Sequence, residues 1–154
     1  MRLPLGIPAV VFALSLSVAP FGGATAATQA TATSRVLSFT QASVRTPDGK
    51  TTYAFADAFV WMGGIRGIAV ESGTYTVHSP KLAIGRAMET CASCTIGGRT
   101  GSFRAALTFR SNATLTQIYT GHFTFTSAAG GLAGLQGTGT FDAKGLYFRY
   151  RFNR

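Results

Sequence analysis

An all-β fold follows from three features of the sequence. Apolar residues recur at period two from Ser34 onward, Gly and Pro mark turns between those runs, and nowhere does a helical period persist over a helix length. About eight such runs in roughly 120 residues must close into a barrel or stack into a sandwich to protect their edges. A small antiparallel barrel, closed or nearly so, is the expected architecture.

The first run is Val36 to Val44, and Thr46-Pro47-Asp48-Gly49 is a tight turn. The return strand, Thr52 to Trp61, places Tyr53, Phe55, Asp57 and Phe59 on one face and Ala54, Ala56, Ala58 and Val60 on the other. Gly63-Gly64 breaks the pattern and Ile65 to Ser72 resumes it. After Gly73, Tyr75 and Val77 alternate with Thr74, Thr76 and His78 until Pro80 ends the run. Lys81 to Thr90 fits a short helix about as well as an irregular strand, and is left as strand or loop. Ser102 to Arg110 alternates Phe103, Ala105, Leu107 and Phe109 against Arg104, Ala106, Thr108 and Arg110. Ser111-Asn112-Ala113 turns the chain into Thr114 to Ser127, where a bulge near Gly121-His122 is needed to keep the faces in phase. Thr138 to Phe141 and Leu146 to Phe152 form a closing hairpin.

At 154 residues and 16.1 kDa the chain holds one domain and an appendage, which excludes an enzyme with separate cofactor and substrate lobes. Its 46% hydrophobic and 12% charged composition excludes disorder. The appendage is residues 1–26: Arg2, an apolar run from Ile7 to Val18, then Ala24-Thr25-Ala26, the order of a secretory signal. The apolar run is shorter than the ~20 residues a membrane-spanning helix needs. Cleavage after Ala26 is expected, with Ala30-x-Ala32 as a second small-residue site. Residues 27–33 then form a flexible leader and residues 34–154 the barrel domain, secreted or periplasmic. An outer-membrane barrel is disfavoured because most runs are shorter than the ~9 to 11 residues a crossing strand needs.

Export makes a Cys91–Cys94 disulfide the expected state of the two cysteines, pinning a turn. A redox pair would need a helix after the cysteines, and Thr95-Ile96-Gly97-Gly98 starts one poorly. A metal site with His78 and His122 lacks further ligand spacing, so neither a metal nor a cofactor is expected.

Glu71, Asp57, Glu89, His78, Tyr53, Tyr75 and Tyr119 are the plausible proton carriers in strands or at their edges. Glu71 and His78, across Gly73, would make an acid/base pair, with Tyr75 between them as a third weak catalytic candidate. The bland alternative is a surface Glu71 partnered by an Arg and a polar His78 at a strand end. Tyr53, Phe55, Trp61 and Tyr119 are the weak candidates for ligand contact. Fourteen Lys and Arg against five Asp and Glu, with Arg149 and Arg151 among Phe148, Tyr150 and Phe152, give a basic, aromatic face suited to an anionic polymer or envelope surface. Export makes nucleic acid an unexpected partner.

One segment is more specific. Gly121 to Gly131 (GHFTFTSAAGG) runs into LAGLQGTGTF at Leu132 to Phe141, and it resembles a signature of secreted β-barrels of the allene oxide cyclase and dirigent type. The glycines suit positive φ and close strand approach, while Leu132, Leu135 and Phe141 are expected to pack inward. The resemblance implies an eight-stranded antiparallel barrel with a lumen, often oligomeric, in a group that guides cyclisation or coupling of hydrophobic intermediates. No lumen residue of that group can be matched here. The expected function is therefore binding of a small apolar ligand or guidance of its cyclisation, with a non-catalytic domain that binds anionic partners as the rival.

Overall fold

A computed structural model describes residues 26–46, 48 and 50–153; the expected signal segment lies almost entirely outside them, as do Pro47 and Gly49 of the first turn. Eight strands follow one another: β1 (Thr28–Arg45), β2 (Thr51–Gly63), β3 (Ile65–Ser79), β4 (Leu82–Ile96), β5 (Arg99–Ser111), β6 (Ile118–Gly130), β7 (Leu135–Asp142) and β8 (Gly145–Phe152). Each pairs antiparallel with the next, and β1 closes the ring against β8. Closure pairs the edges that an open sheet would leave, except along the upper part of β1. No helix among the described residues is long and apolar enough to cross a membrane.

The segment read as a flexible leader is the closing strand. Thr28 to Ala32 pairs with Tyr150 to Leu146, and Ala32 is buried. Ala/Thr-rich sequence carries little periodic signal, so only the partner strand reveals its role. Lys81 to Thr90 and both cysteines belong to β4, whose small inward residues, Ala83, Gly85 and Ala87, blur its alternation. The disulfide therefore sits inside a strand instead of pinning a turn. It spans the register shift at which Cys91 faces Phe103 but Cys94 faces Gly101. Gly67, at φ +140°, lies beside it, where a side chain would strike Ser93 and Cys94. In β6 the extra residues are Tyr119 and Thr126, flanking the expected bulge position. Gly121 instead keeps its inward place, and an added Cβ would collide with the Phe141 ring.

The barrel is uneven. Strands β1 to β6 run 13 to 18 residues, longer than the runs legible in sequence, while β7 and β8 have 8 each. The premise that the strands are too short to cross a membrane therefore fails for six of them. Because β8 pairs only with Thr28 to Ala32, residues 33–45 of β1 are paired on one side alone, with β2. A notch opens there, above the short β7–β8 hairpin. Val36 (59%), Leu37 (50%) and Phe39 (44%) are exposed along it.

Below the notch the core is aromatic. Phe103, Phe123, Phe125 and Phe148 meet edge to face at centroid distances of 4.9 to 6.5 Å, the arrangement that ring quadrupoles favour. Leu132 and Leu135 are buried as expected, Leu132 through a tight turn in which Gly130 and Gly134 take positive φ.

Candidate functional site

Strand alternation turns Tyr53, Phe55, Asp57, Phe59 and Trp61 of β2 to the inside, as the large/small pattern of the two faces implies. On β3 the inward set includes Ala69, Glu71 and Tyr75, and on β4 it includes Ala87, Glu89 and Cys91. Register then brings three carboxyl groups side by side: Asp57 faces Glu71, and Glu71 faces Glu89. Directly paired residues hold their Cβ atoms about 4.5 to 5.5 Å apart. The row forms a carboxyl ladder across the inner wall, with Phe39 beside Asp57 at one end and Ala105 beside Glu89 at the other.

The ladder has one strong partner. The Trp61 indole Nε1–H donates to Glu89 Oε1 at 2.6 Å, in fully buried surroundings. Trp61 is itself fixed edge to face on Phe59 at 5.2 Å. Glu89 is 0% exposed. Its Oε2, like Asp57 Oδ1, is buried without a hydrogen-bond partner among the described residues. Every Lys, Arg and His whose side chain is described is exposed. Three of five acids thus face inward while the cations stay outside.

Unpaired burial sets their protonation, because a low dielectric disfavours the charged form. Burial raises Asp57 to about 6. Burial, with Asp57 and Glu89 adding repulsion, raises Glu71 to about 8. Glu89 also rises to about 8, through burial first and against the lowering effect of the Trp61 hydrogen bond. The ladder therefore holds its protons to higher pH than exposed carboxyls do, and Asp57 is the first of the three to ionise.

Asp57, Glu71 and Trp61 line a cavity of about 260 Å³ that reaches the notch. Phe55, Phe109 and Phe123 supply much of the remaining wall, and Asp142 stands at the mouth, held by Lys144 N–H donating to its Oδ1 at 2.7 Å. Above the ladder, Tyr75 stacks on Tyr53 at 5.1 Å, and its hydroxyl donates to Gln41 Oε1 at 2.8 Å. Burial, followed by the neighbouring Tyr53, raises the Tyr75 phenol above its usual range.

Of the residues singled out in sequence, Glu71, Phe55 and Trp61 meet at this cavity, with Tyr53 and Tyr75 above it. His78 is exposed at the far end of β3, seven residues beyond Glu71, so the two are not brought together. Glu71 faces other acids instead of an Arg. Tyr119 sits on a bulge, 42% exposed, and does not line the cavity. Glu89 as a neighbour of Glu71 is not legible in the sequence, because Lys81 to Thr90 fits a short helix about as well as a strand. The signal for Asp57 was present, as a lone acid on the aromatic face of β2. No group of three or more His, Cys, Asp or Glu side chains suited to a metal ion occurs among the described residues.

No protein-family model matches the sequence, and no curated protein matches it. Among solved structures, the chain is similar to a protein of unknown function from the DUF3224 family of Shewanella oneidensis MR-1. The TM-score is 0.62 at 16% identity, covering 84% of this chain and 99% of that one. At that identity the likeness shows the fold alone.

Proposed function

We propose that this protein is a secreted barrel whose lumen binds a small apolar ligand entering through the notch beside β1. The observation that carries the reading is the aromatic-walled cavity of about 260 Å³, opening beside the exposed apolar residues Val36, Leu37 and Phe39. Pockets of this kind bind by apolar contact and orient through a few polar groups. The carboxyl ladder supplies those groups.

Secretion is supported by the place where pairing starts. Cleavage after Ala26 leaves every paired residue of β1 intact, whereas cleavage after Ala32 would remove the partners of β8. The disulfide within β4 suits an oxidising compartment. Relation to allene oxide cyclase and dirigent barrels, and with it guidance of a cyclisation, is supported by the consecutive closed topology. On that extension, Glu71→Gln abolishes turnover of a substrate once one is found, and unchanged turnover rejects the extension.

Native mass spectrometry of the protein purified from its own secretion host tests the main reading. The expected result is a chain beginning at Ala27, lighter by two hydrogens, with a small apolar molecule bound. A clean apo mass, together with no thermal shift from apolar ligands, would reject it. A second reading, binding of an anionic polymer or envelope surface, is favoured by the uniform exposure of the described cations. It predicts salt-sensitive retention on heparin, and elution at low salt counts against it. The same mass spectrum reads the oligomeric state, for which a homo-oligomer is the expectation.

A further inference from the structure

The lumen combines two features that an ordinary apolar pocket lacks: a row of acids with no cation facing it, and aromatic rings on the walls around that row. Taken strand by strand, the titratable groups that face the lumen are Tyr53 and Asp57 on β2, Glu71 and Tyr75 on β3, Glu89 on β4, Asp142 at the end of β7, and Tyr150 on β8. Strands β1, β5 and β6 add no inward acid or base among the described residues. Glu89 is wholly buried with Oε2 unpartnered, and Asp57 Oδ1 is buried and unpartnered beside the cavity. A buried acceptor without a donor is a large cost to the fold, and of the ladder Asp57 and Glu71 line the cavity while Glu89 stands behind it.

We propose that the lumen selects a small ammonium cation carrying an aryl or alkyl body, the ammonium donating to Asp57 and Glu71 while the body lies against Phe55, Phe109 and Phe123. Ring faces attract a cation electrostatically, and a carboxylate in a dry site adds charge-assisted hydrogen bonds. A cavity of about 260 Å³ holds roughly nine water-sized groups at ~30 Å³ each, so the body is limited to a single ring or a short chain. The proposal rests on the binding-barrel reading and adds a cationic head to the apolar body of its ligand. Proton balance is simple: an ammonium entering near pH 7 draws Glu71 to its carboxylate, and the released proton passes to solvent.

The test uses three probes of matched size, 2-phenylethylammonium, 2-phenylethanol and phenylacetate, titrated into the full chain in ~0.15 M salt, which screens the basic exterior. Trp61 is the chain's sole tryptophan and hydrogen-bonds the ladder, so its emission reports occupancy directly. The expected result is that the ammonium binds at least tenfold more tightly than the alcohol at pH 8, with phenylacetate weakest. That preference shrinks towards pH 5 as the acids protonate. Glu71→Gln and Asp57→Asn each reduce the preference for the ammonium over the alcohol. Equal or tighter binding of the alcohol would overturn the charge assignment and leave lumen binding intact. Failure of all three probes would sink both readings. A preference that persists in both folded variants, or that does not change with pH in the unaltered protein, would remove the ladder as its source.

Discussion

At the residue scale the unusual choice is Glu at positions 71 and 89. Neither faces a cation, and Glu89 has a single donor, Trp61. Gln fills nearly the same volume without a carboxyl that must stay protonated or charge at a cost. Glu71→Gln is therefore expected to melt at or above the unaltered protein's temperature at pH 8, and close to it at pH 5, as followed by circular dichroism. A lower melting temperature at pH 8 would mean that the Glu71 carboxylate has a stabilising partner. Residues kept against stability are commonly those kept for function, which ties this measurement to the binding experiments. Asp57 was legible as a candidate because it interrupts an aromatic face, and Glu71 because acids are so few. Their meeting was not legible, since parity alone leaves open which face of β3 turns inward.

At the element scale, the fold depends on strands of unequal sequence signal. β5 and β8 alternate large apolar residues with Arg and announce themselves. The first part of β1 is mostly Ala and Thr, and β4 turns the small Ala83, Gly85 and Ala87 inward, so their period is faint. Yet β1 closes the ring, and β4 carries both Glu89 and the disulfide. A chain beginning at Ser34, lacking residues 28–33, is expected to lose cooperative melting or melt far below the chain beginning at Ala27. Its β8 would keep one neighbour only and expose the apolar face now buried by Leu146, Phe148 and Tyr150. Equal melting temperatures would restore the flexible-leader reading of that segment. The bulges at Tyr119 and Thr126 belong to the same lesson: alternation shows that register must shift, and pairing with β5 decides where.

At the scale of the whole molecule, charge is sorted by sidedness, with the described cations outside and three of five acids within. The consequence for stability can be signed. Each ladder acid has a folded pKa above its ordinary value of 3.8 or 4.5, to about 6 for Asp57 and about 8 for Glu71 and Glu89. The folded state then binds more protons than the unfolded chain between about pH 4 and pH 8, so stability is greatest at the acid end and falls as pH rises through that window. A group that remains protonated only when folded costs up to about 1.4 kcal/mol per pH unit, less where solvent reaches it. Melting temperature is expected to decline steadily from pH 5 to pH 8.5. A rise over that interval would show that the ladder is ionised and paired in the folded protein. An ammonium ligand should flatten the decline by supplying the missing charge.

Composition and period determined an all-β fold of about eight strands, since alternation follows from the pleat and closure from the need to pair edges. The aromatic face of β2 and the inward packing of Leu132 and Leu135 were readable for the same reason. Tertiary structure alone decided which strand closes the ring, where the notch opens, and that Asp57, Glu71 and Glu89 stand in one row. Those facts depend on the register between strands distant in sequence. Pairing of that kind is set by the joint packing of all eight faces, and no single segment encodes it.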